Sequence, residues 1–300
     1  MEVIKVDNLT KDYGQGRGVF DISFAIPQGE VFGFLGPNGA GKTTTIRQIL
    51  GFIKPDSGFV YINGMGVWGN SHITNRNIGY IPGEINFPEK TTGMDLIKWL
   101  AKFSGVKNLK KAEQLLDIME LKNSDSDIKR MSKGMKQKIG IVCAFMHDPQ
   151  IIIMDEPTSG LDPLMQEIFV DLVKKEKAAG KTILLSSHIF SEVEKTCDRV
   201  SIIKEGKIVT SLRMDEIRHP HFKTFKVKFS KPDESRRMAQ ENLNFAEINH
   251  EKNRVKVTVN DSDIKGFVAV LLNYEIEYLT EIRPTLEDHF MGFYSTKKEV

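Results

Sequence analysis

The sequence predicts an α/β domain with a largely parallel central sheet and a smaller antiparallel part, followed by a small α+β domain. Short, nearly unbroken apolar runs at residues 31–35 and 151–154 are typical of strands buried on both faces of a sheet. Helical periodicity separates these runs along the chain. Beyond residue 220 the pattern changes to short alternating strands with two helices.

The first domain is placed at residues 1–215. Residues 3–6 and 21–26 alternate apolar and polar positions, as half-buried antiparallel strands do. Residues 182–185 form a further apolar run that suits the parallel sheet. Pro163 suits the first position of a helix and Gly180 suits a helix end. Helices are predicted at residues 44–50, 94–103, 110–121, 133–146 and 164–179.

The second domain is placed at residues 220–300. Its predicted order is strand, helix, strand, strand, helix, strand, which is the split-βαβ or ferredoxin-like arrangement. The strands are expected at 224–229, 245–248, 254–259 and 276–282, and the helices at 235–243 and 264–272. This domain shows no catalytic constellation, and its role stays open.

Composition and charge exclude several classes of protein. The 300 residues carry 42 basic and 40 acidic side chains, a net charge of +2, which does not suit a nucleic-acid-coating surface. Two cysteines, Cys143 and Cys197, cannot build a disulfide framework. The longest apolar run is far shorter than the roughly 20 residues that span a bilayer, and the N-terminus lacks a secretory signal. A cytosolic chain is therefore expected, with no nucleic acid as partner.

An unbroken phosphate-loop motif follows the apolar run at 31–35 and precedes a predicted helix. Glycines allow successive backbone N–H groups to wrap phosphates, and the helix N-terminus adds a positive dipole. Lys42 would reach the β- and γ-phosphates, Thr43 would ligate Mg²⁺ and Thr44 would hold the α-phosphate. ATP or GTP binding follows. The motif consists of Gly36, Pro37, Asn38, Gly39, Ala40, Gly41, Lys42 and Thr43.

Two acidic residues, Asp155 and Glu156, end the apolar run that starts at residue 151. An acidic pair after a strand is usually a solvated strand end, but the phosphate loop reverses that interpretation. Ligands of α/β folds lie at the carboxyl ends of the strands. Asp155 would hold Mg²⁺ through water, and Glu156 would act as general base toward the attacking water.

With these motifs the chain resembles the ATP-binding subunit of ABC transporters, from residue 2 to about residue 210. Residues 131–135 stand about 20 residues before the acidic pair, where that family carries its signature. Residues 159–162, which end at Asp162, match the family's D-loop. Residues 186–188 match its switch-histidine segment. Tyr13 stands where the family has an aromatic residue that stacks on adenine.

The resemblance implies a P-loop ATPase of the ABC type with a helical signature subdomain at about residues 84–148. It also implies a head-to-tail dimer in which each ATP lies between the phosphate loop of one subunit and Ser132 and Gly134 of the other. A serine at a helix start offers a hydroxyl and a positive helix end to the γ-phosphate. His188 would hold the γ-phosphate and report its presence.

The chain departs from the family pattern at two places. Gly83 and Glu84 stand where the Q-loop glutamine is expected, and Glu84 is a candidate to contact Mg²⁺ or the attacking water instead. Lys133 and Met135 replace a glycine and a glutamine of the signature. Both variants resemble the export-type branch that handles antibiotics, peptides or lipids, which often carries a short C-terminal domain.

Three functions are weighed. The leading one is a transport ATPase on the cytoplasmic face of the cell membrane, with ATP and Mg²⁺ as cofactors. Its partners would be a separately encoded transmembrane permease subunit and a second ATPase subunit, in a homodimer or heterodimer. The second is a soluble ATPase of the same superfamily that drives a non-transport machine. The third is a small-molecule P-loop kinase, which would require neither the Ser132 signature nor the D-loop.

Overall fold

The computed structural model describes residues 1–88, 90–218, 221–283 and 285–295. The chain divides into two compact units, Met1–Met214 and Asp215–Val300. The change of pattern predicted at residues 219–220 lies outside the described residues. Among the described residues, no helix is long and apolar enough to cross a membrane.

The strands are β1 Glu2–Asp12, β2 Gly18–Pro27, β3 Val31–Leu35, β4 Ser57–Ile62, β5 Met65–Gly66, β6 Ile78–Ile81, β7 Ile151–Asp155, β8 Thr182–Ser187, β9 Arg199–Lys204, β10 Lys207–Arg213, β11 Phe222–Phe229, β12 Asn244–Asn249, β13 Arg254–Asn260 and β14 Ile276–Ile282. The helices are α1 Lys42–Ile49, α2 Ser71–Thr74, α3 Gly93–Phe103, α4 Lys110–Ile118, α5 Lys133–Phe145, α6 Pro163–Ala178, α7 Phe190–Thr196, α8 Met214–Arg218, α9 Glu234–Met238, α10 Ile264–Leu271 and α11 Leu286–Ser295.

The central sheet of the first unit has the strand order β10-β9-β3-β8-β7-β6. Its strands β9, β3, β8, β7 and β6 are parallel, and β10 pairs antiparallel with β9. Every residue of β3, β7 and β8 is buried, which explains the apolar runs that these strands contain. Because the strands are parallel, the carboxyl ends of β3, β7 and β8 lie at one edge of the sheet.

An antiparallel sheet of order β2-β1-β4-β5 packs against the central sheet. The alternating pattern of β1 and β2 turns one face of this sheet toward the core, where Phe24 stacks on Phe32 with ring centroids 4.9 Å apart. Helix α1 joins the same core through Ile46 and Ile49. The shared core fixes the start of α1 at the edge where β3 ends.

The helical segment between β6 and β7 contains α3, α4 and α5, and both α3 and α4 pack on α5. Each helix buries one apolar side, with Leu96 of α3, Leu115 of α4 and Ile139 of α5 nearly inaccessible to solvent. Helix α5 then leads into β7, so the segment is connected to the central sheet at both ends.

The second unit is a small α+β domain with an antiparallel sheet of order β12-β13-β11-β14. Helix α9 joins β11 to β12, and β13 lies between these two strands in the sheet. Helix α10 joins β13 to β14, and β11 lies between them. This is the split-βαβ arrangement. Phe225 of β11 stacks on Phe267 of α10, so this helix packs on the sheet. The helix predicted at 235–243 is shorter, because α9 ends at Met238 and turns follow it.

Candidate functional site

The phosphate loop connects the buried strand β3 to α1. Two of its glycines are required by the backbone and by close packing. Gly41 has φ 111°, and a Cβ there would lie 2.6 Å from Val19 Cγ1. A Cβ at Gly36 would lie 2.4 Å from the carbonyl oxygen of Ile203. The helix begins at Lys42, two residues before the predicted start, because Gly41 already occupies the N-cap position.

Lys42 is 5% exposed and its ammonium group lies inside this loop. Its Nζ donates hydrogen bonds to the carbonyl oxygens of Gly36 at 2.6 Å and Pro37 at 3.2 Å. It also forms an ion pair with Glu156 Oε1 at 3.0 Å. A nearly buried cation needs such partners. The phosphate-binding lysine and the predicted general base are therefore direct neighbours.

Asp155 ends β7 and is fully buried. Its Oδ2 accepts a hydrogen bond from Thr43 Oγ1 at 2.6 Å, and its other oxygen accepts one from Ser186 at the end of β8. A Cβ at Gly83 would lie 2.9 Å from Asp155 Oδ2. A hydroxyl and a carboxylate are oxygen ligands that Mg²⁺ prefers, so Thr43 and Asp155 fit that ion.

Glu156 has φ 49°, in the left-handed region that a glutamate seldom adopts. Its backbone N–H donates to the carbonyl oxygen of Ser186 at 3.1 Å, which helps to hold this conformation. Besides Lys42, its carboxylate contacts the half-exposed His188, whose Nδ1 lies 2.6 Å from Oε2. Strained backbone is concentrated at functional sites. The three predicted residues Lys42, Glu156 and His188 thus form one continuous polar cluster.

A cavity of about 260 Å³ lies next to this cluster. Tyr13 is half exposed at its wall, and the Tyr13 backbone N–H donates to the Arg17 carbonyl oxygen at 2.8 Å. Arg17 was not predicted, although a cation in a glycine-rich loop beside Tyr13 was a usable signal. Ala40 instead packs into the core. The cavity is lined by Tyr13, Arg17, Gly18, Pro37, Asn38, Gly39, Gly41, Lys42, Thr43, Thr44 and Glu156.

The signature residues lie at the start of α5. Ser132 is exposed and caps this helix, since its Oγ accepts a hydrogen bond from the Met135 backbone N–H at 3.2 Å. Lys133 Nζ donates to Ser159 Oγ at 2.8 Å. A Cβ at Gly134 would lie 2.6 Å from the Gly160 carbonyl oxygen. The signature therefore contacts the D-loop of its own chain.

The D-loop ends at Asp162, which caps α6 by accepting a hydrogen bond from the Met165 N–H at 3.0 Å. The segment before it is held by Gln137, whose buried amide donates to the Pro157 carbonyl oxygen at 2.7 Å. Sequence reasoning missed Gln137, because nothing local to α5 indicates which loop it meets. None of Ser132–Met135 is among the described residues that line the cavity.

Glu84 is exposed, and among the described residues its carboxylate makes no hydrogen bond or ion pair with Thr43 or Asp155. Gly83, its neighbour at the Q-loop position, is the residue that lies against Asp155. A larger side chain at residue 83 would collide with this carboxylate.

Comparisons with known proteins now identify the family. A sequence model of the family described as ABC transporter matches residues 19–159. The uncharacterized ABC transporter ATP-binding protein YhcH of Bacillus subtilis is 31% identical over 305 residues, covering 99% of this chain and 97% of that protein. The chain belongs to the ABC transporter ATP-binding proteins. The match to YhcH includes the second unit as well as the ATPase unit.

Two further similarities agree with this assignment. The bacitracin transport ATP-binding protein BcrA of Bacillus licheniformis is 37% identical over 233 residues, which cover 76% of this chain and 75% of BcrA. A solved structure described as the ATP-binding subunit of an ABC transporter has 33% identity and a TM-score of 0.65, covering 72% of this chain and 92% of the other.

The resemblance and the fold class predicted from the sequence are confirmed. The ABC subunit is an ATPase, and its ATP-binding unit carries the mixed sheet and the helical segment of that family. In this subunit Lys42, Asp155, Glu156 and His188 meet at one sheet edge, whereas Ser132–Met135 form the start of α5 and do not line the cavity.

Proposed function

We propose that this ABC ATPase works as a head-to-tail dimer that holds two ATP molecules and powers a separately encoded membrane-spanning permease. The observation that carries the proposal is the division of the site. The phosphate loop, Glu156 and His188 share one polar cluster, and the signature serine is exposed and does not line the cavity. Two such chains, related by a twofold axis, would place each signature against the phosphate loop of the other.

In this proposal the phosphate loop binds the triphosphate in the cavity of about 260 Å³. Lys42 contacts the β- and γ-phosphates, Thr44 the α-phosphate, and Tyr13 stacks on the adenine. Thr43 and, through water, Asp155 would hold Mg²⁺. A Cβ at Gly83 would lie 2.9 Å from Asp155 Oδ2, so a glycine there keeps side-chain atoms away from this carboxylate. The ion would supply positive charge to the phosphate oxygens as charge develops on them.

Glu156 is the proposed general base. Its Oε2 lies 2.6 Å from His188 Nδ1 and its Oε1 lies 3.0 Å from Lys42 Nζ, so the carboxylate is fixed at both oxygens by groups that also face the γ-phosphate. It would take the proton of the attacking water, and His188 would hold the γ-phosphate.

The signature supplies the other half of the site in trans. Ser132 offers a hydroxyl and the positive start of α5 to the γ-phosphate of the partner's ATP. Lys133, Gly134 and the D-loop up to Asp162 accompany it as one surface, because Lys133 and Gly134 already contact Ser159 and Gly160. Hydrolysis removes the contact that joins the two chains.

The names of relatives and the resemblance support a proposal for the cargo and the location. BcrA is named for bacitracin transport, and the signature and Q-loop variants resemble export-type subunits. We therefore infer export of a drug, peptide or lipid-like molecule, with the ATPase of residues 1–215 on the cytoplasmic face of the cell membrane. The unit after residue 220 is a separate small domain whose role stays open.

The test uses Glu156→Gln, which keeps the shape and removes the base. ATP binding should be retained, turnover should fall at least 100-fold, and a dimer should accumulate in ATP, as measured by light scattering. Because the trapped dimer stays engaged with its permease, affinity purification from native membranes should recover an integral membrane protein with it.

The matched control is Glu205→Gln, an exposed glutamate with the same φ of 49° outside the cluster. It should leave turnover and oligomeric state unchanged. A Glu156→Gln chain that stays monomeric in saturating ATP would exclude the shared site. If the Glu156→Gln chain were recovered only from the soluble fraction, a soluble ATPase of the same superfamily that drives a non-transport machine would be favoured.

A further inference from the structure

Glu192 is a buried carboxyl group for which the mechanism above has no use. It lies on α7 and is 5% exposed. Its Oε2 accepts a hydrogen bond from Ser187 Oγ at 2.6 Å and one from Thr158 Oγ1 at 3.3 Å. Its Oε1 is buried and has no hydrogen-bond partner among the described residues. Such burial is unfavourable for a carboxylate, so the residue calls for an explanation.

The two hydroxyl donors belong to the two catalytic segments. Ser187 immediately precedes His188, and its Oγ also accepts a hydrogen bond from the Ile189 N–H at 2.9 Å. This hydroxyl therefore spans the loop that carries His188. Thr158 follows Glu156 by two residues and is 3% exposed. Glu192 is thus the common acceptor of the His188 loop and the segment that continues into the D-loop.

Helix α7 is a fixed support for this carboxyl group. Val193 packs so closely on β3 that a Cβ at Gly33 would lie 2.9 Å from Val193 Cγ1. Strand β3 continues into the phosphate loop, so α7 is packed against the element that positions this loop. Within α7, the Thr196 hydroxyl donates a hydrogen bond to the Glu192 carbonyl oxygen at 2.7 Å. A group on a packed helix is located more accurately than a group on a loop.

We propose that Glu192 is a positioning residue for ATP turnover, which holds the His188 loop and the segment after Glu156 at a fixed separation. The inference rests on the function proposed above, in which Glu156 and His188 act on the γ-phosphate. Glu192 itself does not touch ATP. Its two hydrogen bonds keep His188 beside the Glu156 carboxylate, 2.6 Å away, and they set the direction in which the D-loop leaves Glu156.

The experiment compares Glu192→Leu, which keeps most of the volume and removes the acceptor, with Glu192→Gln, which keeps one acceptor oxygen. For the full chain, Glu192→Leu should lower kcat about 10- to 100-fold, in the range of other misplaced catalytic groups. The Kd for ATP should change less than about threefold, because the phosphate loop keeps its contacts. Glu192→Gln should restore kcat to within about threefold of the parent.

A double variant separates positioning from stability. In a His188→Ala background, Glu192→Leu should cause a clearly smaller further loss of kcat than in the parent, since part of its effect acts through His188. Ser191→Ala, an exposed neighbour on α7, is the control and should leave kcat unchanged. The proposal would be overturned if the losses of kcat from His188→Ala and Glu192→Leu multiplied fully in the double variant. It would also be overturned if the Glu192→Leu variant had the same kcat per folded molecule as the parent. A Glu156→Gln chain with normal turnover would instead overturn the proposed function and leave the Glu192 result readable.

Discussion

The two halves of the candidate site differ in how their polar groups are satisfied. In the phosphate-loop half, Lys42 and Asp155 are buried and are bonded to side chains from other elements. In the signature half, Ser132 and Lys133 are exposed. Among the described residues, the hydrogen-bond partner of the Lys133 ammonium group is the neutral hydroxyl of Ser159. The first half is therefore shaped by the fold of one chain, and the second is a surface that suits a neighbour.

This difference predicts effects of different size. Removing one member of a buried ion pair typically costs about 3–5 kcal/mol, because the other charge stays buried. Losing one exposed hydrogen bond costs about 0.5–1.5 kcal/mol. Substitutions of the buried Lys42 in the phosphate-loop half should therefore affect nucleotide binding strongly. Those in the signature half should affect turnover and leave nucleotide binding nearly unchanged.

The largest expected effect is that of Lys42→Ala. Affinity for ATP should fall at least 100-fold, because the phosphate site loses its main cation and Glu156 loses the cation that lies 3.0 Å from its Oε1. Isothermal titration calorimetry with ATP measures this loss. Lys174→Ala, on the exposed side of α6, is the control and should bind ATP as the parent does. Equal affinities for all three proteins would contradict the role of Lys42.

A smaller effect is expected from Gly134→Ala. The added Cβ would lie 2.6 Å from the Gly160 carbonyl oxygen, so the signature and the D-loop must separate. Turnover should fall about tenfold, equivalent to about 1.4 kcal/mol, with an unchanged Kd for ATP. Steady-state ATPase assays combined with nucleotide titration distinguish the two quantities.

The control is Gly266→Ala, an exposed helical glycine of α10 with no atom within 4 Å of an added Cβ. It should be neutral or slightly stabilising, because alanine favours helices. If Gly134→Ala lowered ATP affinity as strongly as turnover, the separation between the two halves would be wrong.

A further effect concerns the dependence of protein stability on pH. Burial, with a further contribution from the charge of Glu156, raises the pKa of Glu192 from its ordinary 4.5 to about 7. Between these two pH values the folded chain keeps a proton that the unfolded chain releases. The stabilisation that this proton gives to the folded state is therefore complete below pH 4.5 and is lost as pH rises to about 7. The change is at most about 3 kcal/mol.

Glu192→Gln removes this titration. As pH rises from 5 to 8, the Tm of the Glu192→Gln variant minus the Tm of the parent should therefore increase by a few degrees. In a unit of this size, 1 kcal/mol corresponds to about 2–4 °C. Differential scanning calorimetry across this range measures the difference. Parallel Tm profiles for the two proteins would show that Glu192 does not titrate in this window.

Much of the fold and of the phosphate-loop half was predictable because the signals are local. The apolar runs of β3, β7 and β8 are continuous in sequence, and the loop motif stands between a strand and a helix. Helix ends were less accurate: α1 starts at Lys42 and α9 ends at Met238, because capping and packing decide where a helix stops.

The sequence by itself determined which chemical groups this ATPase has: a glycine-rich phosphate loop, an acidic pair after a buried strand, and a serine at a helix start. Only the tertiary structure decided which groups meet. The strand order places β8 between β3 and β7, so Ser186 reaches Asp155 and His188 reaches Glu156. The contacts of Gln137 and Glu192 with residues 157 and 158 arise in the same way. Such contacts join residues far apart in the chain, and the propensities of neighbouring residues do not specify them.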